Sequence, residues 1–508
     1  MFLSARPPEL VRYWGRVAAS LFLLGLLALR PGLALGFADE AARRAEIERT
    51  WAGSRQEIEA FVNDPDNRAA GEGRYYLQMW TNDLVRYAIS KRIVAIRDPL
   101  LALYDKEFDT LTHATDYVFA YDPRAFGVSR ARLALAQPAD LWVSPNGEEL
   151  VLSSSQFVWH LASVSRALIE ANQASEPVVR PFLARALAVV TAHLKRWALS
   201  DKDRIFQRRG WGSQYGMYNH REFVQQLRLR AFSGASYSNA ITDIDTWIIA
   251  AAAELIAAHR LLPGVAPLDN AAATALAVYV REATAMLSER SQSQSLYKPD
   301  GTPVSGLVFD PGGFDGHPDH RFAGYSGAEF PTAEKAGPSG ASWDSSHGGR
   351  QPSVFPSLYE TRGATGAAWP DAGAIAAFAR SFAFAVFEGD LKRPRLRNFL
   401  DGSNGWYRAD LAKHLGYPPF GLTCALLYMP WGRYAAFEPA IAPIVAAAWR
   451  IVASDDPQDV AFRNRMFETP RENGGSGVPD ASVRGASQWL FPLLAAYPLD
   501  PASPSVSK

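Results

Sequence analysis

The segment Ile248-Ile-Ala-Ala-Ala-Ala-Glu-Leu-Ile-Ala-Ala258 is apolar on more than one face of a helical wheel. A helix of this kind packs against neighbours on both sides instead of lying on a surface. Its internal charge, Glu254, and the flanking Asp245 and His259 argue against a membrane span, which needs about 20 consecutive apolar residues. The segment therefore predicts a helix in the interior of a globular protein.

The same periodicity recurs along most of the chain and predicts a mainly α protein. Asp269, with Pro267 just before it, marks the clearest helix start. Strand signals are few, and one hairpin is predicted from Leu141-Trp-Val143 and Leu150-Val-Leu152. The predicted helices cover 75–111, 154–172, 177–199, 220–232, 241–259, 270–291, 371–388, 439–453 and 486–496.

Long, glycine-rich and aromatic connections separate pairs of these helices. Such connections favour helical hairpins arranged in a ring, with the loops gathered on one face as a cleft. We therefore predict an α/α toroid, an incomplete barrel of helical hairpins. The irregular spacing argues against a solenoid, whose repeats have a fixed period of roughly 20 to 50 residues.

Composition excludes several classes of function. The chain has 508 residues with 52 Lys+Arg, 52 Asp+Glu and 48% hydrophobic residues, which is enough apolar material for a large core. A formal net charge of zero argues against a nucleic-acid binder that depends on phosphate neutralisation. The single cysteine, Cys424, has apolar neighbours and predicts a buried thiol, with neither disulfides nor cysteine-based catalysis.

The first residues have the order of a secretory signal peptide. Arg6, Arg12 and Arg16 precede an apolar run from Val17 to Leu29, and small residues follow it. The run is shorter than the roughly 20 residues of a spanning helix, although an uncleaved anchor is the alternative. We predict a signal peptide over 1–38, a catalytic domain over 39–497 and a disordered tail over 498–508. The product is expected to be periplasmic or secreted, with no stable membrane insertion after cleavage.

The region from Gln294 to Pro370 has no sustained helical pattern and is rich in Gly, Pro, Ser and aromatic residues. Its aromatic content favours an ordered functional loop over a linker. Within it, Trp343-Asp-Ser-Ser-His-Gly-Gly-Arg350 continues to Tyr359 and Arg362, so acidic, basic and phenolic groups lie close in sequence. The two arginines are suited to a carboxylate ligand. The alternative is that Asp344 caps a turn and His347 bonds buried backbone groups.

A second candidate cluster runs from Trp211 through Tyr215 to Asn219 and His220. An amide and an imidazole at a helix start can donate hydrogen bonds to a carboxylate, with support from the helix dipole. The alternative is that Asn219 is an N-cap and the tyrosines are packing residues.

Aromatic residues further along the chain favour a carbohydrate cleft. Rings are good platforms for the apolar faces of sugars, and Trp406-Tyr407-Arg408 offers rings beside a guanidinium. We predict Trp211, Trp343, Tyr407 and Arg408 as substrate-binding residues.

Metal and nucleotide chemistry are not expected. The segment from Asp310 to His320 places His317 and Asp319 near one another, but their spacing matches no standard zinc or EF-hand site. We expect a polar turn with solvent-facing histidines there instead. There is no phosphate-binding loop, no Gly-x-Ser-x-Gly elbow and no dinucleotide fingerprint, so we predict no metal and no cofactor.

The Tyr-x-x-Tyr-Asn-His element at 215–220, followed by a loop rich in His, Arg and Tyr, resembles the α/α-toroid polysaccharide lyases of the alginate and glucuronan type. The resemblance implies β-elimination from a uronic-acid polysaccharide. It implies Asn219 and Arg350 as groups that neutralise the uronate carboxylate, His220 or His347 as the base, and Tyr215 or Tyr359 as the acid. Arg362 is a further substrate-binding candidate.

This chemistry suits the residue types, because a proton next to a carboxylate is acidic enough to remove only when donors stabilise the developing enediolate. Two alternatives stay open. A glycoside hydrolase on the same scaffold would use a pair among Asp310, Asp315, Glu329, Asp344 and Glu360. A periplasmic polysaccharide-binding or export protein would bind the acidic polysaccharide without cleaving it.

Overall fold

The structure is a computed structural model that describes residues 40–119, 131–203, 205–206, 218–232, 236–337, 339–468 and 491–492. The predicted signal peptide and the predicted tail lie outside these residues, as does most of the predicted helix at 486–496. The described part is mainly α, which confirms the predicted class.

The described residues form sixteen α-helices, numbered in chain order. They are α1 (Glu40–Asn63), α2 (Pro65–Ala70), α3 (Glu72–Ser90), α4 (Val94–Phe108), α5 (Val151–Glu170), α6 (Val179–Leu194), α7 (His220–Arg228), α8 (Asp243–Leu261), α9 (Asn270–Glu289), α10 (Ser345–Gly348), α11 (Gln351–Glu360), α12 (Arg362–Thr365), α13 (Ala372–Ser381), α14 (Ala425–Tyr428), α15 (Ile441–Ala453) and α16 (Pro457–Arg463).

Three antiparallel hairpins connect parts of this helical frame. They pair β1 (Thr112–Phe119) with β2 (Ala131–Leu141), β3 (Ser291–Tyr297) with β4 (Pro303–Phe309), and β5 (Tyr407–Asp410) with β6 (Leu415–Tyr417). The predicted hairpin over 141–152 is wrong in its second half, because Val151 and Leu152 begin α5. The apolar side chains of Val151 and Leu152 therefore belong to a helix and not to a strand.

Four helices, α3, α5, α8 and α11, lie side by side and run in the same direction. Contacts near their starts join Gln156 to Gln78 and Trp159 to Trp247. Contacts near their ends join Arg86 of α3 to Ser163 of α5, and Glu254 of α8 to Ser357 of α11. We call these four the inner helices. Because the four helices are parallel, their N-termini all lie on the same side of the molecule.

A second layer covers the inner helices. α4 packs on α3, α6 on α5, and α9 on α8, each following its inner partner in the chain. The buried core runs through both layers, and the alanine run of α8 is fully buried between them, as predicted. None of the described helices is long and apolar enough to cross a membrane.

The region 294–370 contains a helix that the sequence pattern did not predict. Gln351–Glu360 forms α11 although it contains Pro352 and Pro356. Pro352 stands in the first turn, where a missing N–H costs nothing. The prediction of an irregular region is therefore wrong for this segment, which supplies the fourth inner helix and places Arg350 at the site end.

Candidate functional site

His347 is held in a defined orientation by Asp344. The carboxylate caps the short helix α10 by accepting hydrogen bonds from the backbone N–H groups of Ser346 and His347. Its other oxygen, Oδ2, lies 2.8 Å from His347 Nδ1. Because an ionised carboxylate only accepts hydrogen bonds, Nδ1 donates the proton and Nε2 keeps its lone pair. The His347 side chain is 23% exposed, so its ring can meet a ligand.

Asp344 is a permanent anion in this arrangement. Burial alone would raise its pKa, but the charge of His347 and the hydrogen bonds from that residue outweigh burial and lower the pKa of Asp344 below its usual range. A buried anion next to an imidazole stabilises the imidazolium that forms when Nε2 takes a proton. The pair therefore has the properties of a general base.

Arg350 lies one helical turn after His347 and is almost fully buried. Its Nη2 donates a hydrogen bond to the hydroxyl of Tyr75, and its Nε lies 3.3 Å from Asp243 Oδ2. Burial raises the pKa of Tyr75 despite the nearby guanidinium, so the phenol keeps its proton at neutral pH. Tyr75 is half-buried, and since its oxygen accepts from Arg350, its own O–H is available to donate.

Tyr407 and Arg408 complete this group of side chains. The Tyr407 hydroxyl lies 3.4 Å from His347 Nδ1, and burial raises the pKa of Tyr407 well above its usual range. The Arg408 guanidinium lies 5.1 Å from the Tyr407 ring centroid and 2.8 Å from Asp319 Oδ2. Arg408 has a φ of 52°, an uncommon conformation for a residue other than glycine. Strain of this kind is typical of functional sites.

We call this set the site cluster. Its members lie at the end of the inner helices where the four N-termini meet: Tyr75, Asp243, Asp344, His347, Arg350, Tyr407 and Arg408.

His320 lies beneath the site cluster, in the segment where the sequence predicts a polar turn instead of a metal site. Its ring stacks on Phe314 at 5.0 Å and lies 5.5 Å from the Tyr407 ring. Both ring nitrogens are buried without a hydrogen-bond partner among the described residues. Burial lowers the pKa of His320 to about 4, so the imidazole is neutral at physiological pH. His320 is not solvent-facing, which corrects the expectation of solvent-facing histidines in this segment.

Two predicted site residues lie far from His347. Tyr359 lies in the last turn of α11, nine residues after Arg350, which is about 14 Å along a helix axis. Its ring packs on Phe437 at 5.7 Å and under the Arg362 guanidinium at 4.8 Å. The structure therefore does not bring Tyr359 or Arg362 to the site cluster, and the predicted arginine pair around one carboxylate does not form.

Asn219 and His220 are placed in packing roles. Asn219 is the N-cap of α7 in a reciprocal capping box with Glu222. His220 is fully buried, with Nδ1 2.6 Å from the Tyr279 hydroxyl and Nε2 3.1 Å from Asp245 Oδ1. Since both ring nitrogens are occupied, His220 has no lone pair to offer a substrate. The alternative that Asn219 is an N-cap matches the structure.

Trp343 is also a packing residue. Its ring is 2% exposed and lies 5.4 Å from the Phe309 ring and 6.2 Å from the Phe314 ring. A sugar platform needs an exposed ring face, which Trp343 lacks. Trp211 and Tyr215 lie outside the described residues.

The structure adds Tyr75 and Asp243 to the site. Thr242 is the N-cap of α8, and Asp243, the first residue of that helix, is paired with Arg350. Tyr75 carried no signal, because its partner Arg350 is 275 residues away in the chain.

The described residues contain no group of three His, Cys, Asp or Glu side chains suited to hold a metal ion. In the segment once weighed as a metal site, Asp310 pairs with Arg290 and accepts from the Ile241 N–H, while His317 Nδ1 accepts from the Asp319 N–H. These side chains face different partners.

The site cluster thus brings together an oriented imidazole, two guanidinium groups and two protonated phenols. Comparison with protein-family models, with curated proteins and with solved structures finds no match for the chain.

Proposed function

We propose that the protein is an exported lyase that cleaves a uronic-acid-containing polysaccharide by β-elimination. The observation that carries the proposal is the His347 imidazole, oriented by Asp344 and placed one turn before Arg350. A base beside a guanidinium is what abstraction of a proton next to a carboxylate requires.

The scaffold of the proposal is an incomplete α/α toroid. Its support is the row of parallel inner helices covered by a second layer. The segment that follows α14 also contacts α3, the first inner helix. Arg433 of this segment donates a hydrogen bond from Nε to Asp83 of α3 at 2.6 Å. Arg350 makes a second link of this kind through Tyr75 of α3.

In the proposed reaction, His347 Nε2 removes the proton from C5 of the uronate. The electron pair of the C5–H bond forms the double bond between C4 and C5, and the C4–O bond to the leaving sugar breaks. Arg350 and Arg408 stabilise the charge that develops on the carboxylate. The proton for the leaving oxygen comes from a tyrosine, and Tyr75 is the better placed, since it is half-buried whereas Tyr407 is 3% exposed.

The hydrolase alternative has less support from the carboxylates that it would use. A general acid needs a raised pKa, but the pKa of Asp344 is lowered and that of Glu360 is lowered to about 2 by Arg166 and Arg86, against the effect of burial. Burial raises the pKa of Asp310, but this side chain is 1% exposed and is bonded to Arg290.

The test is ultraviolet absorbance of the mature protein incubated with a panel of polyuronates. We expect a rise from the conjugated double bond with at least one substrate, and no rise with a His347→Gln variant of equal melting temperature. New reducing ends without absorbance would replace the lyase with a hydrolase. Binding of a polyuronate without either product would favour the binding-protein alternative.

A further inference from the structure

Asp319 lies just outside the site cluster, in a short 3₁₀ turn formed by Pro318–His320. Its Oδ2 accepts a hydrogen bond from Arg408 Nε at 2.8 Å, although the two residues are 89 positions apart in the chain. The next residue, His320, places its ring 5.5 Å from the ring of Tyr407. Two consecutive residues of the turn therefore contact two consecutive residues of β5, both of which belong to the site cluster.

The backbone of β5 is irregular at Arg408. The ladder between β5 and β6 pairs Tyr407 with Tyr417. Its next pair joins Asp410 to Leu415, so two residues of β5 stand opposite one residue of β6. A bulge of this kind redirects a side chain, and the φ of 52° at Arg408 belongs to the same distortion. Neighbouring side chains of a regular strand point to opposite faces, whereas the Arg408 guanidinium lies over the Tyr407 ring, 5.1 Å from its centroid.

Asp319 is an anion at neutral pH and is held by its own turn. Burial acts to raise the pKa of Asp319, but the charge of Arg408, with a contribution from His317, outweighs burial and lowers this pKa. The backbone N–H of Asp319 donates to His317 Nδ1 at 3.1 Å, and the preceding Pro318 restricts the backbone of the turn. The carboxylate that receives Arg408 is therefore fixed in place.

The ion pair contributes orientation more than stability. The side chains of Arg408 and Asp319 are 20% and 32% exposed, and an ion pair in contact with water stabilises a protein only slightly. A long arginine side chain has many rotamers, and they must be restricted before its guanidinium can act on a ligand. A carboxylate bonded to Nε imposes this restriction in advance. Arg350 is arranged in the same way, since Asp243 Oδ2 lies 3.3 Å from its Nε.

We propose that Asp319 is the positioning residue of Arg408 and holds its guanidinium beside Tyr407, in the orientation in which it meets the anionic group of the substrate. The inference rests on the proposed function, in which Arg408 stabilises the charge that develops on the substrate carboxylate. Asp319 itself does not touch the substrate, and its effect passes through Arg408. Asp319→Asn keeps the shape of the side chain but removes its charge, so this change releases Arg408 to other rotamers.

The experiment is a double-mutant cycle in the full protein, measured as kcat/KM with the polyuronate that gives the fastest rise in double-bond absorbance. We expect Asp319→Asn to lower kcat/KM about five- to tenfold at an unchanged melting temperature, because Arg408 must then be ordered when the substrate binds. In an Arg408→Met background, Asp319→Asn should have no further effect, because the residue through which it acts is gone. Native kcat/KM in Asp319→Asn, or a loss that adds to that of Arg408→Met, overturns the proposal.

Asp410→Asn is the matched control. Asp410 lies on the same strand, two residues after Arg408, and the change removes the same charge. Its partner is Lys413, in an exposed pair with 3.8 Å between Nζ and Oδ2. The kcat/KM of this variant should stay within about twofold of the native value, since exposed charges are screened by salt. Equal losses in Asp319→Asn and Asp410→Asn would assign the effect to the net charge of the hairpin and would also overturn the proposal.

A failure of this proposal is separable from a failure of the lyase proposal. Unsaturated product at the native rate from Asp319→Asn keeps the lyase and removes the positioning role. If the native protein forms no unsaturated product, the lyase is removed, and the same cycle is measured as the calorimetric affinity for the polyuronates. A loss of affinity in Asp319→Asn that depends on Arg408 then keeps the positioning role in a binding protein. The absence of both product and binding removes both proposals.

Discussion

The two ends of the inner helices both carry arginines and carboxylates, yet they differ in how completely these groups are paired. At the C-terminal end, Arg166 of α5 binds Glu254 and Glu360, and Arg86 of α3 also contacts Glu360. We call these four residues the distal cluster. At the N-terminal end, the site cluster includes an imidazole lone pair on His347 and a phenol proton on Tyr75 that no described residue uses.

Pairing, and not composition, separates a structural cluster from a reactive one. In the distal cluster, Glu254 is fully buried and also accepts a hydrogen bond from Ser357, so its oxygens are occupied. In the site cluster, Asp344 orients His347 but leaves Nε2 unbonded by any described residue. The comparison teaches that an arginine and a carboxylate close together indicate function only when a neighbouring side chain keeps a hydrogen-bond donor or acceptor that no described residue uses.

The largest effect is expected for His347→Gln. Removing the general base should lower kcat/KM by about 10²–10⁴-fold, because the site cluster has no second imidazole and its two carboxylates, Asp243 and Asp344, are held by an ion pair and by backbone N–H groups. Glu360→Gln at the distal end is the matched control and should retain turnover while it lowers the melting temperature. The measurement is the initial rate of double-bond absorbance together with thermal unfolding. Loss of turnover in both variants would mean that the site cluster and the distal cluster do not differ in their importance for catalysis.

Arg166→Met tests the distal cluster through stability. Its removal leaves Glu254 buried without its cation, which should cost about 3–5 kcal/mol of unfolding free energy. Arg185→Met is the control, since Arg185 makes a surface pair with Asp105 in which both side chains are more than a third exposed, and a pair of this kind contributes about 1 kcal/mol or less. Urea denaturation measures both. Equal costs would mean that burial of the distal cluster has no energetic consequence.

Tyr75→Phe distinguishes the two phenols of the site cluster. If Tyr75 donates the proton to the leaving oxygen, its loss should reduce kcat by about 10²-fold. Tyr407→Phe should cost less, because the Tyr407 hydroxyl is buried against His347. Initial rates at saturating substrate decide between them. The reverse order would transfer the acid role to Tyr407 and leave Tyr75 as a residue that positions Arg350.

Local sequence patterns predicted those features that are determined by residues close together in the chain. The apolar run at 248–258 is a buried helix, and Asp344, His347 and Arg350 meet because they lie within two helical turns of one another. By contrast, α11 was missed because its prolines break the usual pattern; Pro352 stands in the first turn, where proline is tolerated, and Pro356 lies inside the helix.

Long-range pairing was out of reach of the same reasoning. His220 and His347 both belong to sequence clusters that contain polar and aromatic residues. Their difference arises from Tyr279 and Asp245, which fill both nitrogens of His220 from other helices. Tyr75 could not be predicted as a site residue for the same reason, because its partner Arg350 lies 275 residues away in the chain. Burial and pairing of this kind are properties of the packed chain and leave no local signal.

The smallest effect at neutral pH, and a distinctive pH profile, are expected for His320→Phe. The folded protein holds the pKa of His320 near its lowered value of about 4, whereas an unfolded histidine titrates near about 6.5. Between these values the unfolded chain binds more protons, so His320 makes the protein less stable as the pH falls through this window. Phenylalanine would keep the stack on Phe314 and remove both unpaired nitrogens.

At pH 7.5, His320→Phe should therefore be as stable as the native protein or more stable by about 1 kcal/mol. The difference should grow as the pH falls from about 6.5 to about 4, at up to about 1.4 kcal/mol for each pH unit. His113→Gln is the control, because His113 is an exposed residue on β1 and should not alter the profile. Urea midpoints at several pH values measure the effect. A stability difference that stays constant over this pH range would mean that His320 titrates normally in the folded protein. Water would then reach the residues beneath the site cluster, in contrast to the fully paired distal cluster.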